Sequence, residues 1–145
     1  MEMTKGRRSL VVIVGCSRMG AAIAFENSAR GSYTTIIDSN PDAFHKINPE
    51  YSGFFLVGDA TDQAVLDKAH IQEASQCVVA TQDDSTNIYV ASLVCCISEV
   101  FLIVVRLHDE RKSVLLRDKR IRIIAPALLS HDAYEAAIFE KGANR

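Results

Sequence analysis

The sequence predicts an α/β fold: a doubly wound, parallel, six-stranded sheet with strand order 3-2-1-4-5-6. Three observations carry this. Short apolar runs alternate with helix-like stretches along the whole chain, the pattern of parallel strands joined by right-handed crossovers. A glycine-bounded loop, Gly15-Cys16-Ser17-Arg18-Met19-Gly20, sits directly between the first apolar run and the first helical stretch. The 145 residues, 48% of them hydrophobic, are enough for one domain with a real core and not comfortably two.

The elements follow in order. Leu10–Val14 is an unbroken apolar run, as expected of a strand buried on both faces. Arg18–Ala29 is alanine-rich and reads as a helix, with Gly31 closing it. Residues 33–37 form a second strand, and Asn40-Pro41 supplies the N-cap and first position of a short helix running to Ile47. Phe54–Val57 is a third strand. Thr61 or Asp62 then caps a helix carrying Val65, Leu66 and Ala69. Residues 77–80 are a fourth strand, and Asp84-Ser85-Thr86 opens a helix through Ser98. Residues 100–105 are a fifth strand, residues 110–117 a short charged helix, and Ile121–Ile124 a sixth strand stopped by Pro126. Apolar spacing places the last helix over residues 128–139. Residues 10–141 thus form one domain, preceded by a disordered arm at 1–9. The helix bearing Ile88, Val90, Leu93, Val94 and Ile97 is too apolar for a simple surface helix. So is the last one, with Leu128, Leu129, Tyr134, Ala137 and Ile138. Either the sheet or another subunit covers them.

Composition excludes several classes. A formal net charge of -2 calls for no nucleic-acid partner. No apolar run approaches the roughly 18 residues that span a bilayer. The polar start with Lys5, Arg7 and Arg8 lacks the apolar core of a secretory signal. The chain is therefore expected in the cytoplasm and not inserted in a membrane. Of its four cysteines, Cys16, Cys77, Cys95 and Cys96, none forms a C-x-x-C pair or a zinc-type cluster, so no metal is expected. The basic cluster Arg117, Lys119, Arg120 and Arg122 reads as a solvated helix end, with an acidic or membrane partner as the alternative.

The loop carries the chemistry. In its strand–helix setting Gly15 permits a tight turn and Gly20 lets helix and strand pack closely, while the helix N-terminus offers N–H groups and partial positive charge to a phosphate. This is the Rossmann-like phosphate site. The middle glycine of that motif is Ser17 here; its side chain either crowds the phosphate or donates a bond to it. Arg18 can add charge-assisted bonds. The loop also fits a ligand-free turn, but its context favours a ligand. Asp38, beside Ser39, ends the second strand about 20 residues on, where an acid accepts bonds from the ribose hydroxyls and repels a 2′-phosphate, so NADP is disfavoured; a turn cap near Asn40-Pro41 is the alternative. Gly58-Asp59-Ala60-Thr61 and Thr81-Gln82-Asp83-Asp84 follow the third and fourth strands, on the edge where open parallel sheets bind ligands. Asp59 and Ala60 border the adenine in this reading, Thr81 and Gln82 reach the second half of a dinucleotide, and Asp83 and Asp84 cap the next helix. Arg106 ends the fifth strand on the same edge.

The ordered set Gly15–Gly20, Ile37-Asp38, Gly58–Thr61, Thr81–Asp84 with Asn87, and Val105-Arg106 resembles the RCK N-terminal (TrkA-N or KTN) domain of regulatory subunits of Trk/Ktr-type potassium transporters. The resemblance covers residues from about Leu10 to Phe139. It implies a cytoplasmic gating subunit, peripheral to the inner face of the membrane, that binds NAD(H) or an adenine nucleotide such as ATP, ADP or AMP. It also implies a homodimer or higher ring that couples ligand state to a membrane potassium channel or transporter subunit. Residue by residue, it assigns Gly15, Cys16, Ser17, Arg18, Met19 and Gly20 to the phosphates and Asp38 to the ribose. It assigns Asp59 and Ala60 to the adenine, and has Thr81, Gln82 and Arg106 complete the site. Two departures stand out: Ser17 replaces the usual glycine, and Ala127 follows Pro126 where many members carry a glutamate, so no cation site on that acid is expected. The family's RCK-C domain is expected to be absent from these residues.

The alternative is a small NAD-dependent oxidoreductase. Hydride transfer needs a substrate pocket and usually a positioned acid or base. Of His45, His70, His108 and His131, only His108 lies near the ligand edge, with no clear partner in sequence, so no catalytic residue is assigned. A nucleotide-free dimerisation module is the third reading, favoured only if Ser17 blocks the site.

Overall fold

Leu10–Val14 forms the centre of the sheet, strand β1, with every residue after Leu10 buried. The computed structural model describes residues 9–143. After β1 come α1 (Arg18–Ala29), β2 (Tyr33–Asp38), a 3₁₀ segment (Pro41–Lys46), β3 (Phe54–Val57), α2 (Gln63–Lys68) and a 3₁₀ turn (Ile71–Glu73). There follow β4 (Gln76–Val79), α3 (Asp84–Ile97), β5 (Leu102–Arg106), a second 3₁₀ segment (Glu110–Leu115), β6 (Ile121–Ile124) and α4 (Pro126–Ala143). The sheet order is β3-β2-β1-β4-β5-β6, as the sequence predicts. All pairings are parallel, with Val14 opposite Ile37 on one side and Val79 on the other. The arm expected at residues 1–9 lies, apart from Ser9, outside the described residues.

The sheet is covered on both faces because adjacent residues of its central strands point to opposite sides. Val12, Val14, Cys77 and Val79 pack with Leu66 of α2 and Val90 and Val94 of α3. Val11, Ile13, Ile36 and Val78 pack with Ala21 and Ala24 of α1. Ile13 is 0% exposed, and full burial of such a side chain is worth about 1.5–3 kcal/mol. Alanines on α1 let the helix lie close to the strands, which sets the height of its N-terminus above the sheet edge.

Several boundaries differ from the sequence reading. The segments at Pro41–Lys46 and Glu110–Leu115 are 3₁₀ rather than α. In each the cap side chain, Asn40 or Asp109, accepts from the N–H two residues on, a tight Asx turn. Pro126 does not merely stop β6; it opens α4, where a residue without an N–H loses nothing. The sheet does not cover that helix: Leu129, Tyr134, Ile138 and Phe139 are 57%, 64%, 53% and 82% exposed. Among the described residues, no helix is long and apolar enough to cross a membrane. Arg120, from the basic cluster, is a structural cap: its guanidinium donates to the carbonyls of Cys95, Ser98 and Val100 at the end of α3 and to Asp118.

Two glycines fix the β1–α1 turn. Gly15 has φ +98°, and a Cβ there would lie 2.7 Å from Thr81 N and 2.8 Å from the Ala80 carbonyl carbon. A Cβ on Gly20 would lie 2.0 Å from Gly15 O, which is backbone and cannot yield cheaply. Gly20→Ala therefore separates two opposed effects. Helix propensity alone favours alanine by about 1 kcal/mol, whereas the clash is expected to dominate and cost about 1–3 kcal/mol net. Urea unfolding with an unchanged slope checks the sign. The thiols give a second test. Cys16 and Cys77 are buried, burial pushes the Cys77 thiol up to about 12, and burial beside Asp118 pushes Cys95 up to about 11. A disulfide-type thiol reagent at neutral pH is expected to label the exposed Cys96 rapidly, the half-buried Cys95 more slowly, and Cys16 and Cys77 only on unfolding.

Candidate functional site

The carboxyl ends of β1, β2, β3 and β4 frame a cleft of about 520 Å³, within the range of small-molecule sites. Four chain segments meet there. The β1–α1 turn contributes Gly15, Cys16 and Ser17, and the end of β2 contributes Asp38, Ser39 and Asn40. The loop after β3 contributes Gly58, Asp59, Ala60 and Thr61, and the loop after β4 contributes Thr81, Gln82 and Asp83.

Ser17 is the N-cap of α1 and only 4% exposed. Its hydroxyl accepts from Gly20 N at 3.1 Å and donates to Ala80 O at 2.7 Å. A hydroxyl has one proton, so Ser17 does not donate to a ligand in this arrangement; it fastens the turn to the end of β4. The N–H groups of Ser17, Arg18 and Met19 meet no protein acceptor among the described residues. These are the orphan donors of a helix N-terminus, and with the helix dipole they suit an anion. The Arg18 side chain is exposed and Met19 half-buried; neither lines the cleft, and Gly20 lies buried beneath the turn.

Asp38 is held rigidly. One carboxylate oxygen accepts from Cys16 N at 2.8 Å and the other from Asn40 N at 2.9 Å. Each oxygen keeps a further lone pair, so the group can still accept from two neighbouring hydroxyls. Among the described residues, Lys46 is the one cation lining the cleft; its ammonium donates to Cys16 O at 3.1 Å. Sequence reasoning missed it, because only the 3₁₀ winding after β2 carries it back over the turn. The Cys16 thiol donates to Ala43 O at 3.1 Å, and burial pushes its pKa up. Two further carboxylates that line the cleft, one after β3 and one after β4, are held below the usual range by their own turns. The Thr61 hydroxyl and N–H do this for Asp59, and the Thr86 hydroxyl and N–H for Asp83. Asp83 is the N-cap of α3, as the sequence suggests.

Asn87, 0% exposed, organises the far wall. Its Oδ1 accepts from both the N–H and the hydroxyl of Thr81, and its Nδ2 donates to Thr81 O at 3.0 Å and Arg106 O at 2.9 Å. Arg106 lies behind this wall rather than in the cleft lining. Only 8% exposed, it donates through Nη2 to Gln82 Oε1 at 3.1 Å and reaches His108 Nε2 at 3.0 Å. Since arginine can only donate, His108 Nε2 is the acceptor. Arg106 Nε is buried without a partner. Asp84 is buried too and accepts from the N–H groups of His108 and Asp109. Burial pushes its carboxyl up, but those bonds and the Lys112 ammonium outweigh burial and leave the pKa lowered. Of the remaining histidines, His45 and His70 are exposed, and His131 on α4 lies 3.3 Å from Glu135. Among the described residues, no group of His, Cys, Asp and Glu could hold a metal ion.

Comparison with known proteins matches this architecture. The chain is 26% identical over 133 residues to the Trk system potassium uptake protein TrkA of Streptomyces coelicolor, covering 92% of this chain and 60% of that one. It spans about half the length of the curated relatives it matches. Among solved structures, the carboxyl-terminal domain of Shewanella denitrificans Kef in its AMP-bound form superposes with a TM-score of 0.68 at 20% identity, covering 90% of this chain and 81% of that one. The GsuK channel bound to NAD superposes at 0.67 and 17% identity, covering 84% of this chain and 22% of that one. These likenesses show the Rossmann-like fold. The model of the TrkA-N domain matches residues 11–126, and the chain belongs to the TrkA-N domain family.

Proposed function

We propose that this chain is a nucleotide-sensing regulatory domain of a membrane potassium transporter or channel. In this reading the cleft binds NAD(H) or an adenine nucleotide (ATP, ADP or AMP). The observation that carries it is the meeting, at one cleft, of the start of α1, whose first N–H groups have no protein acceptor among the described residues, with the fixed carboxylate of Asp38. The first suits a phosphate and the second the two ribose hydroxyls. Lys46 adds a charge beside the phosphate position, Ser39 and Asn40 edge the ribose, and Asp59 and Ala60 border the base. Thr81 and Gln82 close the far side, Arg18 reaches a phosphate from outside, Met19 offers its backbone N–H, and Gly20, its own N–H taken by Ser17, acts by letting the helix lie against the turn. Arg106 acts through Gln82.

The names of the relatives supply the link to potassium transport. The partner is then a membrane potassium transporter or channel subunit, and the domain works at the cytoplasmic face. Control proceeds by population shift: a nucleotide that binds one assembly geometry better favours that geometry. A coupling of about 1–3 kcal/mol suffices for useful regulation. The domain acts by binding rather than by catalysis; its one histidine at the ligand edge, His108, has Nε2 engaged by Arg106. The exposed apolar side chains of α4 are covered in a homodimer.

Asp38→Ala is expected to weaken adenine-nucleotide binding by about 1.5–3 kcal/mol, the worth of bonds to a charged acceptor, with Asp38→Asn intermediate. Calorimetry giving unchanged affinity for Asp38→Ala would remove the ribose assignment. Sedimentation of the purified chain is expected to show a dimer at micromolar concentration, and Phe139→Asp is expected to shift it toward monomer. A wild-type monomer across the accessible range would remove the dimer.

A further inference from the structure

We infer that β3 is a self-pairing edge: two copies of this chain join their sheets antiparallel, β3 to β3, about a two-fold axis at Leu56. This is independent of the nucleotide reading and of the α4 face, since α4 follows the opposite edge strand, β6.

The backbone supplies the first argument. β3 ends the sheet, and among the described residues nothing pairs with its outer side. Gly58 N donates to Asp38 O of β2. The peptide groups of successive strand residues turn to opposite sides. Those of Leu56 and Gly58 therefore face β2, and those of Phe55 and Val57 face outward.

Folded chains commonly blunt such an edge with a charge, a proline or a bulge. The opposite edge is blunted in this way. Arg120 O and Ile124 O face β5, where they accept from Ile103 N and Leu107 N, so Ile121 O faces outward. Arg122, in the middle of β6, donates to that Ile121 carbonyl and to Lys119 O. β3 has no such guard. Its sequence is Phe-Phe-Leu-Val, without charge or proline, and Phe54, Phe55 and Val57 are 62%, 52% and 54% exposed. The edge is also ordered: the Phe55 ring makes edge-on contacts with Phe44 and Tyr51, centroids 5.0 and 5.2 Å away.

The occupant is a second copy because the segment complements itself. Antiparallel pairing about Leu56 sets Phe55 opposite Val57 of the partner subunit, and the reverse. These residues carry the outward peptide groups, so each pair exchanges both N–H···O=C bonds. Each also joins an aromatic ring to a β-branched side chain, a favourable cross-strand pair. Leu56 meets its own copy at the closer, non-hydrogen-bonded position. Phe54 falls opposite Gly58, which leaves room for its ring. Within residues 53–59 charge is confined to Asp59, which falls opposite Gly53, so no like charges meet. A slip of one residue would set inward peptide groups against outward ones and lose the bonds. Strands of 4 residues bury less than the roughly 800 Å² per partner of a standard interface, so the pairing is reversible and concentration-dependent.

Disulfide trapping of the full chain tests the register. Cys96→Ser removes the exposed native thiol. In that background Leu56→Cys puts a thiol on the axis, with Cα atoms roughly 4.5 Å apart, within disulfide reach. Mild oxidation is expected to link it into a covalent dimer at least about tenfold faster than Phe54→Cys or Val57→Cys, whose Cβ atoms face a glycine and a phenylalanine instead of each other. Adding Val57→Lys, a charge on the exposed edge, is expected to suppress the link. Equal rates at all three positions overturn the pairing. So does the absence of a covalent dimer from Leu56→Cys, which would leave the edge to a strand of another protein. Sedimentation decides if Leu56→Cys misfolds. Phe139→Asp, which disables the α4 face, is expected still to self-associate as its concentration is raised, and Val57→Lys to abolish this. Phe139→Asp monomeric at every concentration overturns the pairing.

Discussion

The turn from β1 into α1 lies against the end of β4 with no room for a side chain, and the site is built on that contact. Gly15 at φ +98° puts its backbone against Ala80 and Thr81. Gly20 lets the first turn of α1 rest on the Gly15 carbonyl. Ser17 then ties the same turn to Ala80 O. Once the helix is fixed there, its free N–H groups point over the sheet edge, and Asp38 can accept from Cys16 N across the gap to β2. One steric constraint therefore places the N-terminus of the helix and orients the acid beside it.

A second constraint fixes the opposite wall. A buried primary amide carries four hydrogen-bonding positions, and leaving any of them empty is costly. Asn87 fills all four with Thr81 and Arg106 O. This makes the loop after β4 a rigid extension of the sheet and joins it to the end of β5. The wall of the cleft and the buried Arg106 behind it thus form one unit. A ligand that displaced Gln82 would disturb β5 as well as the loop, which gives a physical route from occupancy of the cleft to the part of the sheet that leads through β6 into α4.

Apolar exposure marks where that route ends. The described chain keeps its two cores dry, yet α4 presents large apolar side chains that the sheet does not touch. Large apolar side chains left exposed along one helix suit the assembly face proposed above. It lies on the element that follows the last strand, so a shift of the sheet's far edge relative to the cleft would move the proposed assembly face. A regulatory domain needs those two places to be mechanically connected, and here they are connected through covalent and hydrogen-bonded neighbours rather than at a distance.

The sequence by itself determined the order of strands, the position of the glycine turn and the acid at the end of β2. All three follow from local rules: apolar runs make buried parallel strands, a glycine suits a turn that leaves no room for a side chain, and an aspartate at a strand end faces the carboxyl edge of the sheet. It also identified Asp83 as a helix cap. The tertiary structure decided the role of Ser17, because whether a hydroxyl faces a ligand or the protein depends on an acceptor 63 residues away, Ala80 O. It decided that Lys46 reaches the cleft, because its position there is fixed by an acceptor 30 residues away, Cys16 O. And it placed Arg106 behind Gln82 rather than in the lining, because the direction of a long side chain at a strand end is fixed by partners on other elements, His108 and Gln82, that no spacing along the chain brings into register.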